Sequence, residues 1–144
     1  MNLRTAIAAA ATLALAGCAT VPEAHPLSGT RWQLVSIDTA NTSTPLAPAL
    51  RARHTIAFGS GGELQAQLDC NRGRSTWTAG RPQDGAGAIS FGPLMATKMA
   101  CPNPSFGTAL GGVLQQVEHY TISQGGRALM LETTGLRFTF APDG

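Results

Sequence analysis

The seven residues ELQAQLD (63–69) constrain the fold more than any other stretch of the chain. Extended, they put Leu64, Ala66 and Leu68 on one side and Glu63, Gln65, Gln67 and Asp69 on the other. A helix would scatter the same residues around its circumference, whereas a sheet with one dry and one wet face sorts them cleanly. The preceding SGG (60–62) reads as a turn, because glycine reaches positive φ without steric cost. It makes HTIAF (54–58) the other arm of a hairpin.

Similar short runs recur between turn residues. RWQLVSI (31–37), GRSTWTA (73–79), AISF (88–91), YTIS (120–123), ALMLE (128–132) and LRFTFA (136–141) all read as strands, with QGGR and TTG as the final turns. One segment departs from the period of two. Within NPSFGTALGGVLQQVEHY, Phe106, Leu110, Val113, Leu114 and Val117 recur at helical spacing. Asn103 suits an N-cap and Pro104 the first helical position, while Gly107, Gly111 and Gly112 each weaken the helix by about 1 kcal/mol relative to alanine. The expected fold is therefore mainly β (α+β). About eight antiparallel strands form a small barrel, with one helix inserted before the last three strands. A barrel of that size is filled by its own side chains or holds one small ligand.

The first residues read as a processing signal. Arg4 precedes TAIAAAATLALAG, an apolar run of about a dozen residues, and a membrane-spanning helix needs roughly 20. The run ends in Leu15-Ala16-Gly17-Cys18, which resembles a bacterial lipobox, where the cysteine is acylated before cleavage. Residues 1–17 are then a lipoprotein signal peptide, 18–28 (CATVPEAHPLS) a lipidated tether, and 29–144 one domain of a size that supports a single core. Lipid on Cys18 would hold the domain on a membrane, each buried methylene contributing about 0.8 kcal/mol. Ala19 rather than Asp after the cysteine resembles enterobacterial sorting signals, a resemblance that implies the outer membrane, facing the periplasm.

Ten Lys and Arg stand against eight Asp and Glu, without a basic run or basic–aromatic interleaving, so nucleic acid is not an expected partner. Cys70 and Cys101 admit three readings. As metal ligands they lack a CxxC, and His25, His54 and His119 stand singly. As nucleophiles they have Arg72 or Lys98 to lower a thiol pKa but no local base. As a disulfide they suit an exported chain in which two thiols remain once Cys18 is lipidated. Closing that loop would stabilise the fold by about 3–4 kcal/mol. The disulfide is the preferred reading, with free structural thiols and thiol or metal chemistry as alternatives. It would bring Lys98 near Arg72 and Arg74, so Asn71, Arg72, Arg74 and Lys98 form the candidate contact patch. Asn71 itself suits a turn. Elsewhere GSGGE lacks the Lys-Ser/Thr of a phosphate loop, no nucleophile elbow appears, and Trp32 and Trp77 suit the core or a stacking role at a barrel mouth.

GTRWQL, LDCNRG, LMATKMACP, the helix with Phe106 and Leu110, and then YTIS-turn-LMLE together resemble the META domain of HslJ-type bacterial lipoproteins, from Gly29 to Phe140. The resemblance implies a lipocalin-like antiparallel barrel with a helix packed on it, in secreted or envelope proteins of poorly defined activity. Some members are linked to heat-shock response or antibiotic tolerance. Many relatives carry glycine before Cys-Asn where this chain has Asp69. Arg74 and Trp77 stand where small and tyrosine residues are usual, so loop contacts made by relatives do not transfer automatically.

These readings lead to a non-enzymatic, lipid-anchored envelope protein, monomeric and without cofactor or metal, that serves protein interaction or envelope stability under stress. Two alternatives stand beside it. One is a carrier or sensor of a small apolar ligand inside the barrel. The other is an inhibitor of a periplasmic or foreign hydrolase, using a protruding loop at 38–53 or 80–87.

Overall fold

The computed structural model describes residues 17–144. Apart from Gly17, the expected signal peptide lies outside the described residues. The elements are β1 (Thr30–Asp38), β2 (Ser43–Pro45), α1 (Pro48–Arg51), β3 (His54–Phe58), β4 (Glu63–Leu68), β5 (Asn71–Ala79), β6 (Ala86–Phe91), β7 (Met95–Ala96), α2 (Gly107–Val113) with a following 3-10 turn (Leu114–Gln116), β8 (His119–Ile122), β9 (Leu129–Glu132) and β10 (Arg137–Pro142). Eight of the strands close an antiparallel ring in the order β1–β3–β4–β5–β6–β8–β9–β10, with β10 returning to β1. Closure leaves that ring no free edge, which is how an antiparallel sheet of this size avoids edge-to-edge association.

The β3–β4 hairpin follows the alternation read from the sequence, with Leu64, Ala66 and Leu68 buried and paired to Phe58, Ile56 and His54. Two very short strands were not anticipated. β2 pairs with the end of β1, and β7 lies on β5 at Gly73 and Arg74, on the edge that β6 leaves uncovered. Between Leu34 and Ser36 the β1–β10 register shifts by a bulge. The carbonyl of Val35 there accepts the N–H of Leu46, and Leu46 is fully buried. The loop 38–53 is thereby tied down against the barrel.

Aromatic side chains fill the interior. Trp32, Phe58, Trp77, Phe91, Tyr120, Phe138 and Phe140 are all buried. Phe58 meets Trp77 edge-on at 5.2 Å between ring centroids. The indole N–H groups are satisfied, Trp32 donating to the Thr30 hydroxyl and Trp77 to the Gly59 carbonyl. Both tryptophans therefore belong to the core, where each contributes roughly 2–3 kcal/mol by burial.

Each end of the ring is covered by a different segment. At the end marked by His54 and Leu68 lies α2. The helix is shorter than its apolar stripe suggests: it begins at Gly107 after an N-cap residue, Phe106, that makes no side-chain cap. Asn103 is not the N-cap and Pro104 not the first helical residue, because the chain through 103–106 is still crossing from the Cys101 loop. The cap is supplied by buried His54, whose Nε2 accepts the Phe106 N–H at 3.1 Å while Nδ1 donates to the Leu50 carbonyl at 2.7 Å. Gly107 is required by contact, since a Cβ there would stand 2.3 Å from the Leu68 carbonyl oxygen. The stripe persists beyond the helix, with Leu110, Leu114 and Val117 all buried.

The opposite end is covered by residues expected to be tether. Leu27 is completely buried, and His25 Nε2 lies 3.0 Å from the Gly80 carbonyl and 3.1 Å from the Tyr120 hydroxyl. Arg81 donates to the Glu23 carbonyl. The chain is thus engaged with the barrel several residues before Gly29.

Candidate functional site

The LDCNRG and TKMAC segments meet at one corner. Cys70 and Cys101 form a disulfide with Cα atoms 5.6 Å apart. Beside it the Asn71 carboxamide does the work of a peptide group. Its Oδ1 accepts the Met99 N–H at 2.7 Å and the Thr97 hydroxyl at 3.0 Å, and its Nδ2 donates to the Met99 carbonyl at 2.9 Å. The Arg72 N–H donates to the Thr97 hydroxyl, and the Thr97 N–H returns to the Arg72 carbonyl at 3.0 Å. Segment 97–101 is therefore fixed by a covalent bond and a network of polar bonds, although it belongs to no helix or long strand. Asn71 does not serve a turn, as its side chain alone had suggested: it is the first residue of β5, and its partner lies 28 residues downstream.

The turn conformation falls on Asp69, at φ 62. Aspartate is among the few residues other than glycine that enter this left-handed region readily. That accounts for its standing where the resemblance leads one to expect glycine. Its side chain is buried, and Arg53 Nη1 lies 2.9 Å from Oδ1, but neither carboxylate oxygen receives a hydrogen bond. The pair is a charge contact rather than an aligned bond, which makes it a weak source of stability.

Outward from this corner runs a groove of about 670 Å³ on the wall of the barrel. Strand register builds it from two cross-strand rows. One is Arg31–Ala57–Gln65–Arg74; the other ends in Thr55–Gln67–Arg72. Ala57 and Thr55 make a low floor between Arg31 on one side and Arg72 and Arg74 on the other. Met95 and Thr97 extend that second wall. No Asp or Glu lines the groove. Arg31 is held by Asp143 at 2.5 Å, whereas no carboxylate among the described residues lies within 4 Å of Arg72 or Arg74.

Of the four residues expected to form a contact patch, Arg72 and Arg74 share this groove and Asn71 braces its rim. Lys98 is exposed on the adjoining loop and does not line the groove. Arg31, Gln65 and Gln67 were not anticipated as site residues. Outward alternation marks the two glutamines, but only register across three strands joins them to Arg31. Met95 and Met99 were also missed. They are 74% and 61% exposed, the only large apolar side chains described between residues 25 and 144 to stand so far into solvent. Cys18 is exposed and unpaired. Among the described residues, no three His, Cys, Asp or Glu side chains converge as a metal site.

Two ionisable groups are tuned, one at each end of the barrel. Hydrogen bonds from Ser43 and then Ser36 hold the Asp38 carboxyl below its usual pKa of 3.8, against the opposing effect of burial. Burial pushes the Tyr120 phenol above its usual 10.0. The Tyr120 hydroxyl donates to the Gly80 carbonyl at 2.7 Å, beside His25.

A family model described as META domain matches residues 25–144. Its start coincides with His25, the first residue of the segment packed into the barrel end. Among solved structures, the chain is similar to an NMR structure of a protein from Burkholderia xenovorans, with 21% identity, a TM-score of 0.65, and 92% of this chain and 99% of that one covered. It is also similar to a crystal structure of a DUF4847 family protein from Bacteroides vulgatus, with 17% identity, a TM-score of 0.53, and coverage of 81% and 94%. At these identities the likeness concerns the fold. A search of curated proteins found no match.

Proposed function

The chain belongs to the META domain family, and we propose that it is a lipid-anchored, non-catalytic module of the bacterial cell envelope. Lipid on Cys18 holds it at the outer membrane, facing the periplasm, and the corner around Asn71 and Met99 is the surface it offers to an envelope protein partner. The observation that carries this reading is a rim locked by the disulfide and the Asn71 bonds while Met95 and Met99 stand in solvent. Methionine is enriched at protein interfaces, and folding alone gives no reason to hold two of them outside.

The two alternatives find less support. An interior occupied by Tyr120, Phe58, Phe138 and Phe140, each at most 1% exposed, speaks against an internal apolar ligand. The loop 38–53 is tied down through Leu46, and 80–87 forms a tight turn closed by the Gln83–Ala86 bridge, so neither has the reach of an inhibitory loop.

Two measurements test the proposal. Intact mass of the protein extracted from its native membrane, alkylated before and after reduction, should show lipid on Cys18 and labelling of Cys70 and Cys101 only after reduction. A free Cys18 thiol would remove the anchor. A photo-crosslinking side chain at position 99 should give one discrete adduct in cells, absent when it is placed at exposed Gln115. Identical adducts from both positions would remove the partner surface.

A further inference from the structure

We propose that the outer-wall groove is a binding site for a soluble ligand carrying two phosphate-type groups about 7 Å apart, the separation of alternate residues on a strand. The inference concerns a small-molecule site beside the partner surface described above and does not depend on that surface.

Arg72 and Arg74 project from the same face of β5, two residues apart. At that separation their charges lie within a Debye length of about 8 Å at physiological salt, so they repel one another through the solvent. Surface arginines are ordinarily relieved by a neighbouring carboxylate. Among the described residues no acidic side chain lines the groove, and of its three arginines Arg31 alone has such a partner, in Asp143. Among the described residues the protein supplies no counter-charge within 4 Å of Arg72 or Arg74, which leaves both guanidinium groups available to an anion from solution.

The arrangement is also rigid. β5 is bonded to β4 along 71–76 and to β7 at 73–74, and the mutual Arg72–Thr97 bonds sit two residues from the disulfide. On such a frame the backbone loses little freedom when a ligand binds, and the remaining cost is the ordering of the two arginine side chains. Arginine forks match the oxygens of phosphate in a bidentate way, and phosphate carries more charge than a carboxylate, so two adjacent forks select for it. The Gln65 amide lies directly across from Arg74 and supplies a neutral donor, while the Gln67 amide opposite Arg72 is held by its own bond to the Asp69 carbonyl. On the far wall Arg31 stands three strands from Arg74, about 14 Å at the usual strand spacing, which leaves room for the body of the ligand above Ala57 and Thr55. The floor gives the body of a soluble molecule a place to sit while Arg72 and Arg74 hold its charged groups, which a flat bilayer meeting only the exposed arginines would not use.

Calorimetric titration of the purified mature protein with inorganic tripolyphosphate tests the site. The expected result is one-to-one binding that weakens with added salt. Arg72→Gln and Arg74→Gln should each weaken it about tenfold, as loss of one charge-assisted contact does. Arg127→Gln, on the exposed β8–β9 turn across the ring, should leave it unchanged. All three changed residues are exposed, and equal melting temperatures will show that folding is intact. No binding, or equal weakening by Arg127→Gln, would overturn the site. So would a protein that ignores tripolyphosphate yet binds phosphatidylglycerol vesicles through Arg72 and Arg74, which would reassign those residues to a membrane surface. Crosslinking from position 99 is unaffected by any of these outcomes, so this proposal and the partner surface fail separately.

Discussion

The two ends of the barrel are closed by different means. At the His54–Leu68 end, residues far apart in the chain are joined covalently at Cys70–Cys101, bridged by Asn71, and covered by a helix whose N-cap residue, Phe106, gives its N–H to His54. At the other end a single terminal segment reaches over, with Leu27 buried and His25 bonded to Gly80 and Tyr120. The first closure limits the unfolded chain as well as the folded one; the second exists only while its few contacts are made. Two ends of one barrel can thus be equally dry and very unequally secured.

The difference can be sharpened by experiment. Reducing the disulfide, or replacing both cysteines with alanine, should lower stability by about 3–4 kcal/mol, the loop-closure contribution for this separation. Urea unfolding followed by tryptophan fluorescence would show it, and an unchanged midpoint would mean that the covalent link is redundant. Leu27→Ala should cost about 2–3 kcal/mol, near the lower limit for a buried leucine, because a terminal segment can withdraw rather than leave a cavity. Hydrogen exchange should then rise at Tyr120 and Gly80 and not at Met99. A rise at both ends would show that the two closures are coupled.

Asn71→Ala should cost about 1–2 kcal/mol, since it strands the Met99 N–H and carbonyl, and should raise exchange at Met99 with the disulfide intact. The smallest effects concern pH. The Tyr120 pKa is raised in the folded state, so its contribution is fully present below about pH 10 and is lost as pH rises toward the folded value. The Asp38 pKa is lowered, so its contribution is present above pH 3.8 and lost as pH falls toward the folded value. Alkali should therefore loosen the His25 end first and acid the Asp38 end, which residue-resolved exchange at the two extremes would separate.

What could be read from the sequence divides along the same line. Strands β3 and β4 were visible because their alternation and the SGG turn are local. The cysteine pair was visible because, of three cysteines, Cys18 sits in the expected lipobox and leaves two to be matched. The length of α2 was not, since the contact that starts it, Gly107 against the Leu68 carbonyl, joins residues distant in the chain. Strands of two or three residues, such as β7 and β2, carry too few side chains to show a period. Asn71 looked like a turn residue because its composition is that of a turn, and the peptide it imitates lies across a long loop. Likewise His25 and Leu27, on either side of Pro26 in a segment with two prolines and little pattern, read as a linker, but the barrel end gives Leu27 somewhere to go. The groove combines both cases: its outward glutamines were legible, but its opposite wall at Arg31 is set by register alone.

The packed terminal segment also fixes how the domain answers a pull. Force applied from the N-terminal side reaches the Glu23 carbonyl first, then His25, then Leu27, and strips these contacts one after another, a peeling load that breaks bonds singly. The next element is β1, held along both edges by β3 and β10, where the same force would have to break many bonds together. Releasing residues 25–29 frees a segment that spans at most about 17 Å at strand-like extension before the ring itself is stressed. The segment that closes the barrel is therefore also its slack, and any stretch of the N-terminal chain is spent there before the strands feel it.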